Sequence, residues 1–262
     1  MIFAAGLGTR LKPLTDNMPK ALVPLAGKTL LQWQIERLKS AGITDIVVNV
    51  HHFPDMIIDY LKEHHNFGCN IQVSDERDML LETGGGLRKA LQAMRLLGNE
   101  ARGEGILVCN VDILSNIDIP TLLKAYNPDE IGVVVVSERQ TQRYLLFNEE
   151  NRLCGWTNVA TGEVKGEEAI RLLGERQEVR SEETIRQLAF SGMQVLNPNI
   201  LDKMDKVVAE KGEKFSLIDL YLSIAQEETL RAYVPEDYRM MDVGKIDQIS
   251  EAEAFAQAIS ES

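Results

Sequence analysis

Gly6 and Gly8, then Thr9 and Arg10 and, ten residues further on, Lys20 behind Pro19, have the types and spacing to hold phosphate. Glycine lets the backbone turn sharply and approach a ligand more closely than a Cβ permits. Successive N–H groups turned inward then make a nest for an anion. Thr9 adds a hydroxyl donor and Arg10 a permanent, forked cation. A glycine turn, an arginine and a distant lysine together suit a chain of phosphates. Two better-known phosphate motifs fail here: the third glycine of the dinucleotide fingerprint is replaced by Leu11, and the first glycine of a Walker A loop by Leu22. Gly27-Lys28 therefore reads as a turn before a helix.

Four other stretches could carry chemistry. Glu82-Thr83-Gly84-Gly85-Gly86 opens a helix, where exposed backbone groups can read the edge of a base and free amides favour anions. A flexible turn explains the same residues without function. Asp112 follows the apolar run Ile106-Leu107-Val108, so it stands at the end of a strand, where a hard carboxylate suits Mg²⁺. Asp242 precedes the last predicted helix; either aspartate could instead be a turn or cap residue. Ser191-Gly192 lies in a predicted strand, where Gly192 would let a ligand lie against backbone and a bulge is the plainer reading. The histidines form two adjacent pairs, His51-His52 and His64-His65, whose side chains diverge and make a poor metal site. No serine or cysteine has the setting of a nucleophile.

The elements that must position these groups follow from periodicity. Met1–Ala5, Asp45–Val50, Asn70–Ser74 and Gly105–Asn110 read as buried strands. Helices are expected over Thr29–Ala41, Pro54–His64 and Gly86–Leu97. This alternation predicts an α/β fold, a doubly wound and mostly parallel sheet with ligands beyond the carboxyl ends of its strands. Later residues differ. Strands are expected over Ile131–Val136, Tyr144–Phe147, Leu188–Leu196 and Leu230–Val234, and helices over Pro198–Val208, Ser216–Gln226 and Lys245–Ile259. Glu163–Arg186 is highly charged and reads as an exposed helical excursion or a loop. The expectation is one domain, with residues 1–130 binding nucleotide and a mixed α+β lobe, residues 131–262, covering one side of the site.

The totals narrow the class. With 262 residues, 44% of them hydrophobic, the chain can build one substantial core. No apolar run reaches the length of a membrane span, and the N-terminus lacks the features of a signal peptide. Cys69, Cys109 and Cys154 are scattered, which suits a reducing cytoplasm. A net charge of −12 argues against general binding of nucleic acid or anionic membrane. It also means that a bound triphosphate needs local cations or a metal.

Ala4 to Pro24, read as Ala-Ala-Gly-x-Gly-Thr-Arg-Leu-x-Pro-Leu-Thr-x-x-x-Pro-Lys-x-Leu-Val-Pro, resembles the signature of sugar-1-phosphate nucleotidyltransferases. The resemblance implies that a sugar 1-phosphate attacks the α-phosphorus of a nucleoside triphosphate, releasing pyrophosphate. It implies that Arg10 and the loop at Ala5, Gly6, Gly8 and Thr9 hold the triphosphate, and that Lys20 bridges charge developing at the reacting phosphates. It further implies that Glu82, Thr83, Gly84 and Gly85 contact the nucleoside, that Ser191 and Gly192 line the sugar pocket, and that Asp112 and Asp242 clamp Mg²⁺. The Glu-Thr-Gly-Gly-Gly form is similar to uridylyltransferases acting on N-acetylmuramate 1-phosphate and to guanylyltransferases acting on mannose 1-phosphate. UTP is favoured over GTP on that likeness. The muramate carboxylate would need a cation, with Arg143 and Lys245 as candidates. The chain departs from the family pattern at Val111, where glycine is usual, and at Met241, where tryptophan is common; it also lacks a recognisable Glu-Lys pair in the sugar lobe. A non-catalytic protein that binds nucleotide sugars is the competing class. With the sequence ending soon after Asp242, no β-helical acetyltransferase domain is expected.

Overall fold

A computed structural model describes residues 1–96, 104–178 and 185–260. Among the described residues ten strands form one mixed sheet: β1 (Ile2–Phe3), β2 (Asp45–Val50), β3 (Asn70–Asp75), β4 (Ile106–Asn110), β5 (Gly132–Ser137), β6 (Arg143–Phe147), β7 (Leu153–Asn158), β8 (Glu163–Lys165), β9 (Arg186–Leu196) and β10 (Leu230–Tyr233). Their order is β8-β7-β6-β9-β4-β1-β2-β3, with β5 also paired to β9 and β10 added beside β5. The strands β4, β1, β2 and β3 are parallel neighbours. The long strand β9 then runs antiparallel to β4, β5 and β6, and joins the later residues to the parallel part. The sheet is thus parallel where helices alternate with strands and largely antiparallel where they do not.

Helices α1 (Leu30–Ser40), α2 (Pro54–Glu63), α3 (Glu82–Leu96), α4 (Ile119–Ala125), α5 (Glu167–Glu178), α6 (Ile200–Lys211), α7 (Leu217–Ile224) and α8 (Ile249–Ser260) surround the sheet. Successive strand residues point to opposite faces, and two cores result. Ile2, Val48 and Val50 pack with Leu31 and Ile35 of α1, Ile57 of α2 and Ala252 of α8. Phe3 and Val47 pack on the other face with Leu87 and Leu91 of α3, Met204 of α6 and Leu220 of α7. Helix starts follow local chemistry. The Thr29 side chain accepts from Gln32 N at 3.0 Å and caps α1. Ser216 and Asp219 form a reciprocal capping box on α7.

The charged segment has structure in its described part: a short strand, Glu163–Lys165, and the helix α5, whose Ala169 and Leu172 are buried. Residues 179–184 of that expectation, and Leu97 at the end of the third predicted helix, lie outside the described residues. The first strand is shorter than expected, because the chain leaves the ladder after Phe3. The third helix begins at Glu82 rather than Gly86, so all three glycines lie in its first turns.

Candidate active site

The groups singled out by sequence converge at the carboxyl edge of β1 and β4. The first glycine loop leaves β1 with Ala4 N donating to Asn49 Oδ1 at 2.8 Å. Gly8 is left-handed, with φ of 64°, and its carbonyl accepts from Thr15 Oγ1 at 2.8 Å. A Cβ on Gly8 would meet Thr15 Cγ2 at 2.8 Å, so the turn requires glycine on two counts. Gly6, Leu7, Thr9 and Arg10 are left exposed.

Lys20 sits in a single helical turn, Lys20–Leu22, and is only 7% exposed. Its Nζ pairs with Asp112 Oδ2. Asp242 reaches the same place through a small antiparallel ribbon: Met240–Asp242 pairs with Ile113–Ser115, placing Asp242 opposite Ile113. Val243 N donates to Asp112 O at 2.9 Å and closes the ribbon. Residues far apart in the chain are thereby held side by side. Arg10 approaches Asp242 Oδ2 at 3.8 Å across Gly244, where a Cβ would lie 2.8 Å from the guanidinium.

Burial pushes the Asp242 carboxyl above its ordinary range, and the negative charge of Asp112 pushes it further; Lys20 and Arg10 pull in the opposite direction. Two mutually repelling hard carboxylates are a donor set that fits Mg²⁺. Among the described residues no third His, Cys, Asp or Glu joins them in a cluster able to hold a metal. An ion at Asp112 and Asp242 would therefore complete its shell with oxygens of other origin, as Mg²⁺ does when it shares phosphate.

Two adjoining cavities share Gly6, Lys20 and Asp112. One, of about 320 Å³, is bounded by Gly8, Thr9, Arg10 and Gly244. The other, of about 380 Å³, is bounded by Asn49, Leu80, Glu82, Thr83 and Asn110. The first is lined by the Gly6–Arg10 loop with Lys20 and Asp112; the second presents mostly apolar wall with a few polar groups, the common make-up of a small-molecule pocket. A larger cavity, of about 530 Å³, opens at the other end of the parallel strands and contains none of these groups.

The second glycine segment differs from the exposed loop expected. Glu82 and Thr83 face the cleft, but Gly84 N and Gly85 N both donate to Phe215 O, at 2.9 and 3.2 Å. These two amides are hydrogen-bonded inside the protein. Thr83 Oγ1 accepts from Leu217 N at 3.0 Å. Gly192 has φ of 71° at the bulge of β9, and a Cβ there would lie 2.8 Å from Ile113 Cγ1 and 3.0 Å from Asn110 Nδ2. Ser191 is 0% exposed, so its hydroxyl faces the interior rather than an open pocket. Arg143 stands opposite Asn158 in the β6–β7 pairing, and Lys245 follows Gly244.

Sequence reasoning passed over the strut behind the cleft. Asn49 Nδ2 donates to Glu76 Oε1 at 2.8 Å, and Leu81 N donates to Glu76 Oε2 at 3.3 Å. Through Asn49 and Glu76 the first glycine loop is tied to the residues that open α3. Burial raises the Glu76 carboxyl pKa, opposed by its hydrogen bond from Asn49. The signal available was Asn49 itself, an amide in the apolar run Ile46–Val50.

The architecture and the residues at its edge agree with one class. The chain belongs to the nucleotidyl transferase family, whose model matches residues 1–259. It is 37% identical over 149 residues to the N-acetylmuramate alpha-1-phosphate uridylyltransferase of Caulobacter vibrioides, covering 54% of this chain and 58% of that protein. It is 46% identical over 118 residues to the Neisseria meningitidis protein of the same name, covering 45% and 48%. A rice protein described as a mannose-1-phosphate guanylyltransferase is 29% identical over 208 residues, covering 78% of this chain and 51% of that one. The chain thus spans about half the length of the curated relatives it matches. Among solved structures, a UDP-glucose pyrophosphorylase bound to UDP-glucose superposes with a TM-score of 0.69 at 19% identity, covering 98% of this chain and 97% of that one. HddC from Yersinia pseudotuberculosis, complexed with GMP-PN, gives 0.68 at 20%, covering 97% of each. At such identities these two establish the fold.

Proposed function

We propose that the protein transfers a nucleotidyl group from a nucleoside triphosphate to a sugar 1-phosphate, and that the pair is UTP and N-acetylmuramate 1-phosphate. The observation that carries the reaction class is the meeting of Arg10, Lys20, Asp112 and Asp242 in one groove beside the Gly6–Gly8 loop. The identity to the two uridylyltransferases supports the choice of substrates.

In this reading the loop amides and Arg10 grip the β- and γ-phosphates, and the departing pyrophosphate remains bound to them. Lys20 leaves Asp112 for the oxygens of the α-phosphate and the sugar phosphate, where negative charge accumulates in the transition state. Asp112 and Asp242 hold Mg²⁺, which supplies charge neutralisation at the phosphates when bound. Glu82 and Thr83 bound the nucleoside, and the bulge at Gly192 bounds the sugar. Transfer is direct, so positioning and charge stabilisation carry the catalysis. Residues 1–130 hold nucleotide and residues 131–262 complete the sugar side. The site of action is the cytoplasm; Cys69, Cys109 and Cys154 are all free thiols, and no helix among the described residues is long and apolar enough to cross a membrane.

Pyrophosphate release tests this with Mg²⁺ and UTP or GTP, each offered N-acetylmuramate 1-phosphate or mannose 1-phosphate. UTP with the muramate is expected to lead by about tenfold or more in kcat/KM, a difference of about 1.4 kcal/mol. The same lead for GTP with mannose 1-phosphate overturns the substrate choice. No pyrophosphate from any pair, with nucleotide sugar still bound, favours the non-catalytic nucleotide-sugar-binding protein instead.

A further inference from the structure

Several cations of this acidic chain, Arg139, Arg143 and Lys245 among them, stand in no ion pair among the described residues, and what separates them is where each is held. Arg10 faces Asp242, Lys20 pairs with Asp112, and Arg231 pairs with Glu130. Arg139 is different. It lies just beyond β5, exposed, and no ion pair among the described residues includes it. The acidic side chain beside it in sequence, Glu138, turns toward Arg186 at 3.7 Å. Among the described residues Arg139 makes one hydrogen bond, from its NH2 group to Phe190 O at 2.9 Å.

That bond determines where the guanidinium points. Phe190 opens the bulge of β9, and Gly192 within the bulge lies against Asn110, which lines the cleft. The carbonyl thus anchors one edge of the fork on the wall assigned to the sugar and leaves the other N–H groups without protein acceptors among the described residues. An anchored, forked cation presenting free donors is the geometry that accepts a carboxylate through two parallel hydrogen bonds.

We infer that Arg139 is a specificity-determining residue that receives a carboxylate carried by the sugar of the sugar 1-phosphate. The inference rests on the proposed transfer reaction and names a class of substrate within it: acidic sugars over neutral ones. The lactyl ether of N-acetylmuramate supplies such a carboxylate, whereas N-acetylglucosamine, the same ring without the lactyl group, supplies none. Arg139 takes the role for which Arg143 and Lys245 were candidates.

The test compares these two sugar 1-phosphates with UTP and Mg²⁺, each measured as a substrate and as an inhibitor of the other's turnover. In the wild-type protein the muramate should be preferred. Arg139→Gln should raise the KM, or inhibition constant, of the muramate by about tenfold or more. The N-acetylglucosamine 1-phosphate constant, the KM for UTP and kcat should change little. Arg139→Lys, which keeps the charge and loses the fork, should fall between. Equal weakening of both sugars by Arg139→Gln would mean that the arginine only props the bulge through Phe190, and overturns the inference. An unchanged muramate constant overturns it as well. A wild-type protein that turns over neither sugar with UTP overturns the choice of substrates, and the carboxylate assignment with it, while the transfer reaction itself is tested by the wider panel of nucleotides and sugars.

Discussion

Two glycine segments border the cleft, and they use the residue for opposite ends. Around Gly6 the space is open: nothing lies within 4 Å of where a Cβ would stand, and its neighbours Leu7, Thr9 and Arg10 are exposed. Around Gly84, Gly85 and Gly86 there is no space. A Cβ would lie 2.4 Å from the Phe215 ring at Gly84, 2.1 Å from Glu213 O at Gly85 and 2.7 Å from Glu76 Oε1 at Gly86. The first segment keeps room for a ligand outside the protein. The second lets the irregular stretch 213–215 and the Asn49–Glu76 strut close onto the start of α3. Glycine marks a close approach in both cases; only the three-dimensional neighbours say what approaches.

The comparison assigns chemistry to the first segment and architecture to the second, and Lys20 is the strongest place to break it. The side chain is packed against the Gly8 turn, buried, and paired with Asp112. If its purpose is transition-state charge, Lys20→Ala should cut kcat on the order of a hundredfold, about 2.7 kcal/mol, with a smaller change in triphosphate binding. Steady-state kinetics with calorimetric binding checks this. A variant with near-normal kcat and a lowered Tm would turn Lys20 into a structural partner of Asp112, and the first segment would then be architecture too.

Gly85→Ala attacks the other side of the comparison. Alanine improves helix propensity by roughly 1 kcal/mol. The new methyl, however, meets a backbone carbonyl oxygen, which cannot swing away as a side chain end would, and overpacking of this kind costs about 3 kcal/mol. The clash wins, and a net loss of about 2 kcal/mol is expected, seen as a Tm lowered by roughly 4–8 °C. Nucleotide affinity per folded molecule should be nearly retained. Unchanged Tm with lost affinity would show that the segment serves the ligand directly.

What was legible in the sequence follows the same division. The parallel strands, α1 and α2 could be read because short apolar runs and helical spacing are local signals; α1 was expected over Thr29–Ala41 and runs Leu30–Ser40. The grouping of Arg10, Lys20, Asp112 and Asp242 was legible through the resemblance, while the device that achieves it was not. Pairing of Met240–Asp242 with Ile113–Ser115 is a contact between residues remote in sequence, and such short ribbons carry little periodicity. The beginning of α3 was misjudged for a related reason. Glycine is a poor helix former taken alone, and Phe215, whose carbonyl holds the Gly84 and Gly85 amides, is remote in the chain. Ser191 was given to the sugar through the resemblance of its segment to a sugar-pocket lining; in the structure Asn110 and Ile113 crowd Gly192, and the Ser191 hydroxyl is buried, which local sequence does not reveal.

The smallest expected effect sharpens the comparison furthest, because it sets one glycine against another with the same substitution. Gly6→Ala adds a methyl where the protein offers no obstruction, and Gly6 does not need a left-handed backbone, since its φ is not among the positive ones. Stability should therefore hold or rise slightly, as the unfolded chain loses freedom. The methyl does intrude on both cavities that Gly6 lines. A triphosphate that packs against the loop backbone would be displaced by part of an ångström, with its amide hydrogen bonds lengthened. The loss should be about tenfold in nucleotide affinity, or about 1.4 kcal/mol, with Tm unchanged in the absence of nucleotide. Titration calorimetry and thermal melts, with Gly6→Ala and Gly85→Ala side by side, supply the check. Opposite signatures, affinity lost in one and stability in the other, uphold the division. Full affinity in Gly6→Ala would mean that nucleotide does not approach this loop backbone closely, and the phosphate nest would have to be sought elsewhere in the groove.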